Sequence, residues 1–371
     1  MPIRVAQIIG KMDNGGVESV VMNYYRNIDK SKIQFDFIID IDSKNPLITE
    51  IESLGGHVYL VSPYQKLLHY LIDVYKVIRK NKYKIVHSHL NTLSIFPLFS
   101  SFLAGAKVRI AHSHSTSASG EGKKTILKNV LRPLSRLFST HYCACSEYAG
   151  KWLFGEKSCN SGRIVLIKNA INVECFSYKD DVRRQIRENL KLENKYVIGH
   201  IGRFVYQKNH SFLIDIFNEI YLKNPNSALI LIGSGELEGE ILQKVDDLGL
   251  SDSVQFLGVR QDIPDLIQAL DVLLLPSFYE GLPLVGVEAQ AAGLPCIMSN
   301  NITKEAKLIE STKFCNLSLT AREWALEVLY YSNNFDRSQS TIEQIEHAGF
   351  EIKTASNNLR NLYLDLYGEV I

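Results

Sequence analysis

Two carboxylates frame the chemistry this chain can do. Residues 276–295 read PSFYEGLPLVGVEAQAAGLP, with Glu280 in a turn rich in Pro and Gly and Glu288 eight positions later in a helical pattern. The apolar run Asp271–Leu275 leads into the turn. A helix is expected from about Pro283 to Ala292, because Pro suits a first helical turn and Gly293 with Pro295 ends it. Such a strand-to-helix turn offers backbone N–H groups to anions, above all phosphate. A carboxylate beside it can accept hydrogen bonds from sugar hydroxyls. A buried strand, a tight turn and a packing helix would read the same way, so the stretch does not decide alone.

Two more loops carry related chemistry. Gly202-Arg203-Phe204-Val205-Tyr206-Gln207-Lys208-Asn209 follows the strand pattern Tyr196–Ile201. Arg203 and Lys208 are cations suited to a diphosphate, and Gly202 permits close backbone approach. The next strand pattern, Ala228–Ile232, ends in Gly233-Ser234-Gly235-Glu236. In a doubly wound sheet these loops share one edge, at the carboxyl ends of the strands. Together they predict a nucleotide-diphosphate site, and Val259, Arg260 and Asp262 are expected to line its base pocket.

The first half supplies other candidates. Asp13-Asn14-Gly15-Gly16 follows the strand pattern Ile3–Ile9 without a GxGxxG, so a nicotinamide cofactor is not indicated. Gly15 and Gly16 would let backbone approach a ligand. His87-Ser88-His89 and His112-Ser113-His114 stand at strand ends, where alternate residues share a face. Two such pairs have the residue types for zinc. No Cys or carboxylate joins them at short spacing, so the reading is a role at a substrate cleft and no metal. Asp40 and Asp42 read as an ordinary polar loop rather than a metal-holding DxD.

These residues need elements to position them. Strand patterns recur at Ile33–Ile39, His57–Val61, Lys84–His87, Lys107–His112, His141–Ala144 and Ile164–Ile167, and again at Ser253–Phe256 and Pro295–Met298, with helical patterns between most of them. Alternating β and α units predict an α/β chain with doubly wound parallel sheets. The 371 residues suit two domains. Charge divides the same way: residues 1–178 hold 23 Lys and Arg against 13 Asp and Glu, the rest 18 against 27. A basic half suits an anionic membrane surface, and Lys123–Phe138 reads as a basic amphipathic helix presenting Lys123, Lys124, Lys128, Arg132 and Arg136. No apolar run is long enough to span a bilayer, no signal peptide is evident, and the six cysteines form no CxxC pair. A cytoplasmic location is expected, peripheral on the inner face of the cell membrane.

Glu280-x7-Glu288, with GRFVYQKN at 202–209, GSGE at 233–236, FLG at 256–258 and GG at 15–16, resembles the retaining GT-B glycosyltransferases of family GT4, also called glycosyl transferase group 1. The pattern is most similar to bacterial enzymes of capsular or exopolysaccharide assembly. The resemblance implies two Rossmann-like domains facing a cleft: residues 1–176, onto which a helix of about 354–371 packs back, and a donor domain of 177–353. It implies that Glu288 binds the donor ribose and Glu280 the transferred hexose. Gly281, Leu282 and Pro283 would hold sugar and phosphate, alongside Gly202, Gly233 and Gly235, while Arg203 and Lys208 neutralise the leaving diphosphate. Gly15, Gly16, His89 and His112 would serve acceptor and phosphate, and His114 is favoured over His112 at the donor sugar. The implied reaction moves a hexose from a nucleotide sugar, with a UDP-sugar as the expected donor, to a lipid-linked saccharide, with neither cofactor nor metal. A UDP-sugar epimerase of the same shape and a membrane-docked, non-enzymatic scaffold are the alternatives.

Overall fold

The computed structural model describes residues 2–370 apart from 14, 45, 115–128, 336 and 338. The chain divides into two units, one of Met1–Ala170 with Glu351–Ile371 and one of Ile171–Phe350.

Seven described strands make the first unit's sheet: β1 (Ile3–Gly10), β2 (Ile33–Asp40), β3 (Val58–Val61), β4 (Ile85–Ser88), β5 (Val108–Ser113), β6 (His141–Ala144) and β7 (Ile164–Leu166). All pair in parallel, in the order β3-β2-β1-β4-β5-β6-β7. Parallel strands covered on both faces must be apolar nearly throughout, and β2 is buried along its whole length. One charge in that strand is answered locally. Asp36 accepts from the Arg4 guanidinium at 2.7 and 2.9 Å, from the His57 N–H at 2.8 Å and from the Tyr83 hydroxyl at 2.7 Å. A buried carboxylate without such partners would be costly.

The helix Ile352–Gly368 follows the second unit in sequence but belongs to the first, where it packs against the helix Gly16–Asn27. Its buried face is Ile352, Ser356, Leu359, Tyr363 and Leu366, spaced four, three, four and three residues apart, the helical period. Tyr363 meets Phe35 edge-on, with ring centroids 5.9 Å apart.

The second unit's sheet comprises β8 (Tyr196–Ile201), β9 (Ser227–Ile232), β10 (Val254–Phe256), β11 (Val272–Leu275), β12 (Cys296–Ser299) and β13 (Thr312–Cys315), in the order β10-β9-β8-β11-β12-β13. Its core joins Ile198, Leu229, Leu231, Val272 and Leu274 of the sheet to Leu213 and Phe217 of the helix His210–Lys223 and Trp324 of the helix Ala321–Asn334. Both sheets reverse their winding once, between β1 and β4 and between β8 and β11. In doubly wound sheets these reversals open the crevice that takes ligands.

Two sequence expectations change. Strand β13 was not anticipated, because TKFC is short and interrupted by a charge; among the described strands it pairs only with β12, at the sheet edge. The basic amphipathic helix does not run to Phe138. Pro133 opens a 3-10 turn, Pro133–Arg136, since it lacks the N–H an α-helix would need there. Leu131 is buried, but Val130, Leu134 and Leu137 are exposed instead of forming a packed side. Arg132 lies over the Trp152 ring, and Arg136 donates to Phe154 O at 3.2 Å. Lys123, Lys124 and Lys128 lie outside the described residues.

Candidate functional site

In the second unit, the loops after β8 and β11 leave the sheet on either side of its reversal, and side chains lace them together. The Phe278 N–H donates to Gln207 O at 2.9 Å. Asn209 Nδ2 donates to Pro276 O at 3.1 Å. Gln207 Nε2 donates to Tyr279 O and to Glu280 Oε2, both at 3.0 Å. The rings of Tyr206 and Phe278 stack at 4.6 Å.

Glu280 sits at the centre of this lacing, only 7% exposed. Lys208 Nζ meets its Oε1 at 2.6 Å. The two residues expected to touch different parts of one ligand therefore also touch each other. Lys208 brings its charge to the site already paired, whereas Arg203 is exposed at the start of the same loop.

The glycines around them are explained by backbone contact. Gly233 has φ +136°, and a Cβ there would lie 2.1 Å from Gly202 O. A Cβ on Gly235 would lie 2.4 Å from Phe204 O. The GSG turn thus rests directly on residues 202–204, tied by the Phe204 N–H to Ser234 O at 3.1 Å and the Leu237 N–H to Phe204 O at 3.0 Å. Below Gly202, the buried His200 donates from Nδ1 to Leu274 O at 2.7 Å, joining β8 to β11. Burial lowers its pKa to about 4, so it adds no charge beneath the cations at neutral pH.

Glu288 belongs to the helix Leu284–Ala291, with Pro283 one residue before it as the N-cap rather than within its first turn. Nearly every position of this helix is buried; Leu284 and Glu288, four residues apart on one face, keep partial exposure. Burial pushes the Glu288 pKa up to about 7. Its surroundings strip away most of the water that would favour a carboxylate, while leaving an edge open.

Gln290 fixes this helix. It donates from Nε2 to Gly286 O and Ala306 O, both at 2.8 Å, and accepts at Oε1 from the Leu308 N–H at 2.7 Å and Thr312 Oγ1 at 2.8 Å. Gln207, Asn209 and Gln290 escaped sequence reasoning. Gln290 left one clue: an amide stands alone in the apolar run of AQAAGLP. Val259 and Arg260 are exposed, and Arg260 pairs with Asp262 at 2.5 Å rather than standing alone.

The first unit gathers the remaining candidates at its own reversal. Gly15 caps the helix Gly16–Asn27. Glu18 folds back over this end, accepting from the Asp13 N–H at 3.2 Å, and a Cβ on Gly15 would lie 2.4 Å from its carboxylate. Negative charge thus already faces the helix N-terminus, as the macrodipole favours. Nearby, Asp42 pairs with Lys11 at 2.5 Å, while Asp40 is buried and its pKa raised to about 6, mainly by burial and then by Asp42.

His87, His89, His112 and His114 form one buried group lining a small cavity with Gln7 and Tyr363. Ring nitrogens of His87, His89 and His112 lie within 4.8 Å of one another, a grouping with metal-ligand chemistry. Hydrogen bonds, however, use both nitrogens of His87 and both of His89. Sequence reasoning had the four histidines but not Gln7 or Tyr363.

Comparison with known proteins gives the family. The family model described as Glycosyl transferases group 1 matches residues 181–343, and Glycosyltransferase Family 4 matches residues 14–174. EpsF of Bacillus subtilis (strain 168) is 36% identical over 308 residues, covering 81% of this chain and 80% of that protein. The UDP-Gal:alpha-D-GlcNAc-diphosphoundecaprenol alpha-1,3-galactosyltransferase of Escherichia coli is 31% identical over 238 residues, covering 62% of this chain and 61% of its own. Among solved structures, Anabaena Alr3699/HepE in complex with UDP-glucose aligns at a TM-score of 0.80 with 20% identity, over 98% of this chain and 99% of that one. With two Rossmann-like units, each matched by its own glycosyltransferase model, this chain belongs to the group 1 glycosyl transferases of the GT-B fold.

Proposed function

We propose that the chain transfers a hexose from a UDP-sugar to a lipid-linked saccharide, with retention of anomeric configuration, in the assembly of a surface polysaccharide. The observation that carries this reading is the buried Glu280, held by Lys208 and Gln207 where the second sheet reverses, with Glu288 on the open stripe of the following helix. Glu280 accepts hydrogen bonds from the hexose and Glu288 from the ribose. The Escherichia coli relative, named for UDP-galactose and a diphosphoundecaprenol-linked sugar, supports the choice of donor and acceptor class.

Breaking the bond between sugar and phosphate places positive charge on the anomeric carbon and negative charge on the diphosphate. Arg203, Lys208 and the N-terminus of the helix Leu284–Ala291 meet the anion, so the reading needs no divalent cation. Attack comes from the face the leaving group departs from. Glu280, tied into its ion pair, serves as an acceptor and not as a nucleophile. Incubation with a panel of UDP- and GDP-sugars and a lipid-linked saccharide should release UDP and extend the acceptor with its anomeric configuration kept. Glu280→Ala should abolish transfer; wild-type turnover in that variant would remove its assigned role.

Glu288 gives donor binding a pH dependence. Its folded pKa near 7 leaves much of the free protein protonated below neutrality. Ribose hydroxyls donate to the carboxylate form, so binding and ionisation favour each other. UDP-sugar affinity should fall as pH drops through about 7, by about tenfold between pH 8 and pH 6. Titration calorimetry on wild type and Glu288→Gln checks this: the variant should show a flat profile, and an equally flat wild type would refute the ribose contact.

The two cations should separate in stability measurements. Lys208→Ala strands a buried carboxylate and should cost about 3 kcal/mol in urea unfolding. Arg203→Ala, at an exposed position, should stay within about 0.5 kcal/mol yet lose transfer rate. Equal stability of the two variants would refute the distinction.

We also propose docking on an anionic membrane through Arg132 and Arg136, beside the exposed Val130, Leu134 and Leu137. Arg132→Glu with Arg136→Glu should weaken cosedimentation with phosphatidylglycerol vesicles several-fold. Unchanged binding would exclude these residues from the contact.

A further inference from the structure

The buried histidines of the first unit can be read proton by proton. Gln7 Oε1 can only accept, so His89 Nε2, at 2.8 Å, must carry a proton. His89 Nδ1 is then a lone pair and accepts from His114 Nε2–H at 2.8 Å. On its other side Gln7 donates from Nε2 to the Tyr363 oxygen at 3.1 Å. Among the described residues His87 Nδ1, at 2.7 Å, is the one acceptor within reach of the tyrosine's single proton, so the buried hydroxyl donates there. His87 therefore donates from Nε2 to His112 Nδ1 at 3.0 Å. His112 is left with its proton on Nε2, a buried atom with no hydrogen-bond partner among the described residues.

Every step points the same way, from His114 through His89, Gln7, Tyr363 and His87 to His112. One group sets the direction: turning the Gln7 amide over would reverse every bond and make all four rings Nδ1–H. The assignment requires neutral imidazoles. Burial holds His87 and His114 near pKa 3 and lowers His89 and His112 well below the usual value. The wire folds back on itself, because the His112 and His114 rings stack at 3.9 Å. Its two ends are thus neighbours of opposite character, a donor on His112 and an acceptor on His114. His114 is the less deeply buried, 7% exposed against 1% for His112.

We propose that Gln7 and Tyr363 are positioning residues which, through this unbroken wire, hold all four imidazoles as Nε2–H tautomers and so leave His114 Nδ1 as a hydrogen-bond acceptor for a hydroxyl of the transferred hexose. The hexose contact rests on the transferase reading above; the wire itself does not. A ring held in the other tautomer would present an N–H to that hydroxyl and lose its preference for a donating partner. The role falls to Tyr363 although it is 276 residues from His87 in sequence.

Long-range proton–nitrogen spectra of the uniformly labelled full-length chain at pH 7 test this directly. Each of the four rings should show one tautomer, protonated at Nε2. A ring protonated at Nδ1 would overturn the wire, and this measurement needs no variant to fold. In Tyr363→Phe, the Gln7 amide loses the acceptor that fixes its orientation, so all four rings, His114 included, should become tautomer mixtures, and kcat should fall about tenfold with donor KM little changed. A variant with the wild-type spectrum and wild-type kcat would overturn the positioning role. Wild-type chain with the expected spectrum but no sugar transfer would sink the hexose contact together with the transferase reading and leave the wire standing. Transfer with an Nδ1–H ring would sink the wire alone.

Discussion

A carboxylate taken out of water must be answered by donors or a counter-charge. Glu280 is so placed, and much of the second unit's binding edge follows from that need. Lys208 answers with charge and Gln207 with an amide proton. To supply both, the loop after β8 must lie against the turn after β11, and Asn209, Tyr206 and the Phe278 N–H hold it there. The glycines then become necessary, because the GSG turn has to rest on the backbone of residues 202–204 with no room for a Cβ. What begins as the solvation of one side chain ends as the shape of three loops.

The first unit solves a related problem without net charge. Four imidazoles buried together could not all be protonated, and one ring's neutrality leaves open which nitrogen holds the proton. The amide and phenol on either side remove that freedom. Asp36 behaves differently again, drawing a guanidinium, a backbone amide and a phenol around one charge. The chain thus handles buried polarity in three ways: by an ion pair at a site, by a neutral directional network, and by a structural anchor.

The parallel strands were legible because strands covered on both faces are written in Val, Ile and Leu with little interruption. The loops of the site were legible because they combine glycine, cations and carboxylates at strand ends. What remained hidden was pairing. Glu280 and Lys208 were both singled out, but nothing linear says that they meet. Gln290 looks like an isolated polar residue until the segment that supplies its partners folds beside it. The helix expected across Lys123–Phe138 yielded to one residue, Pro133, whose backbone has no proton to give. The strand β13 was missed because an edge strand need not be apolar throughout.

The placement of the helix Ile352–Gly368 has a consequence for how the protein is made. The sheet it covers is encoded before residue 170, yet the helix follows the whole of the second unit. A ribosome adding 5–20 residues per second takes roughly 10–40 s to cross that interval. Until it does, the nascent first unit lacks Tyr363, and the apolar groove against the helix Gly16–Asn27 stays uncovered. The second unit, continuous in sequence, can close first. The half of the molecule translated earlier is therefore the half completed later, and an interrupted chain would display an open hydrophobic face to the chaperones and proteases that survey unfinished proteins.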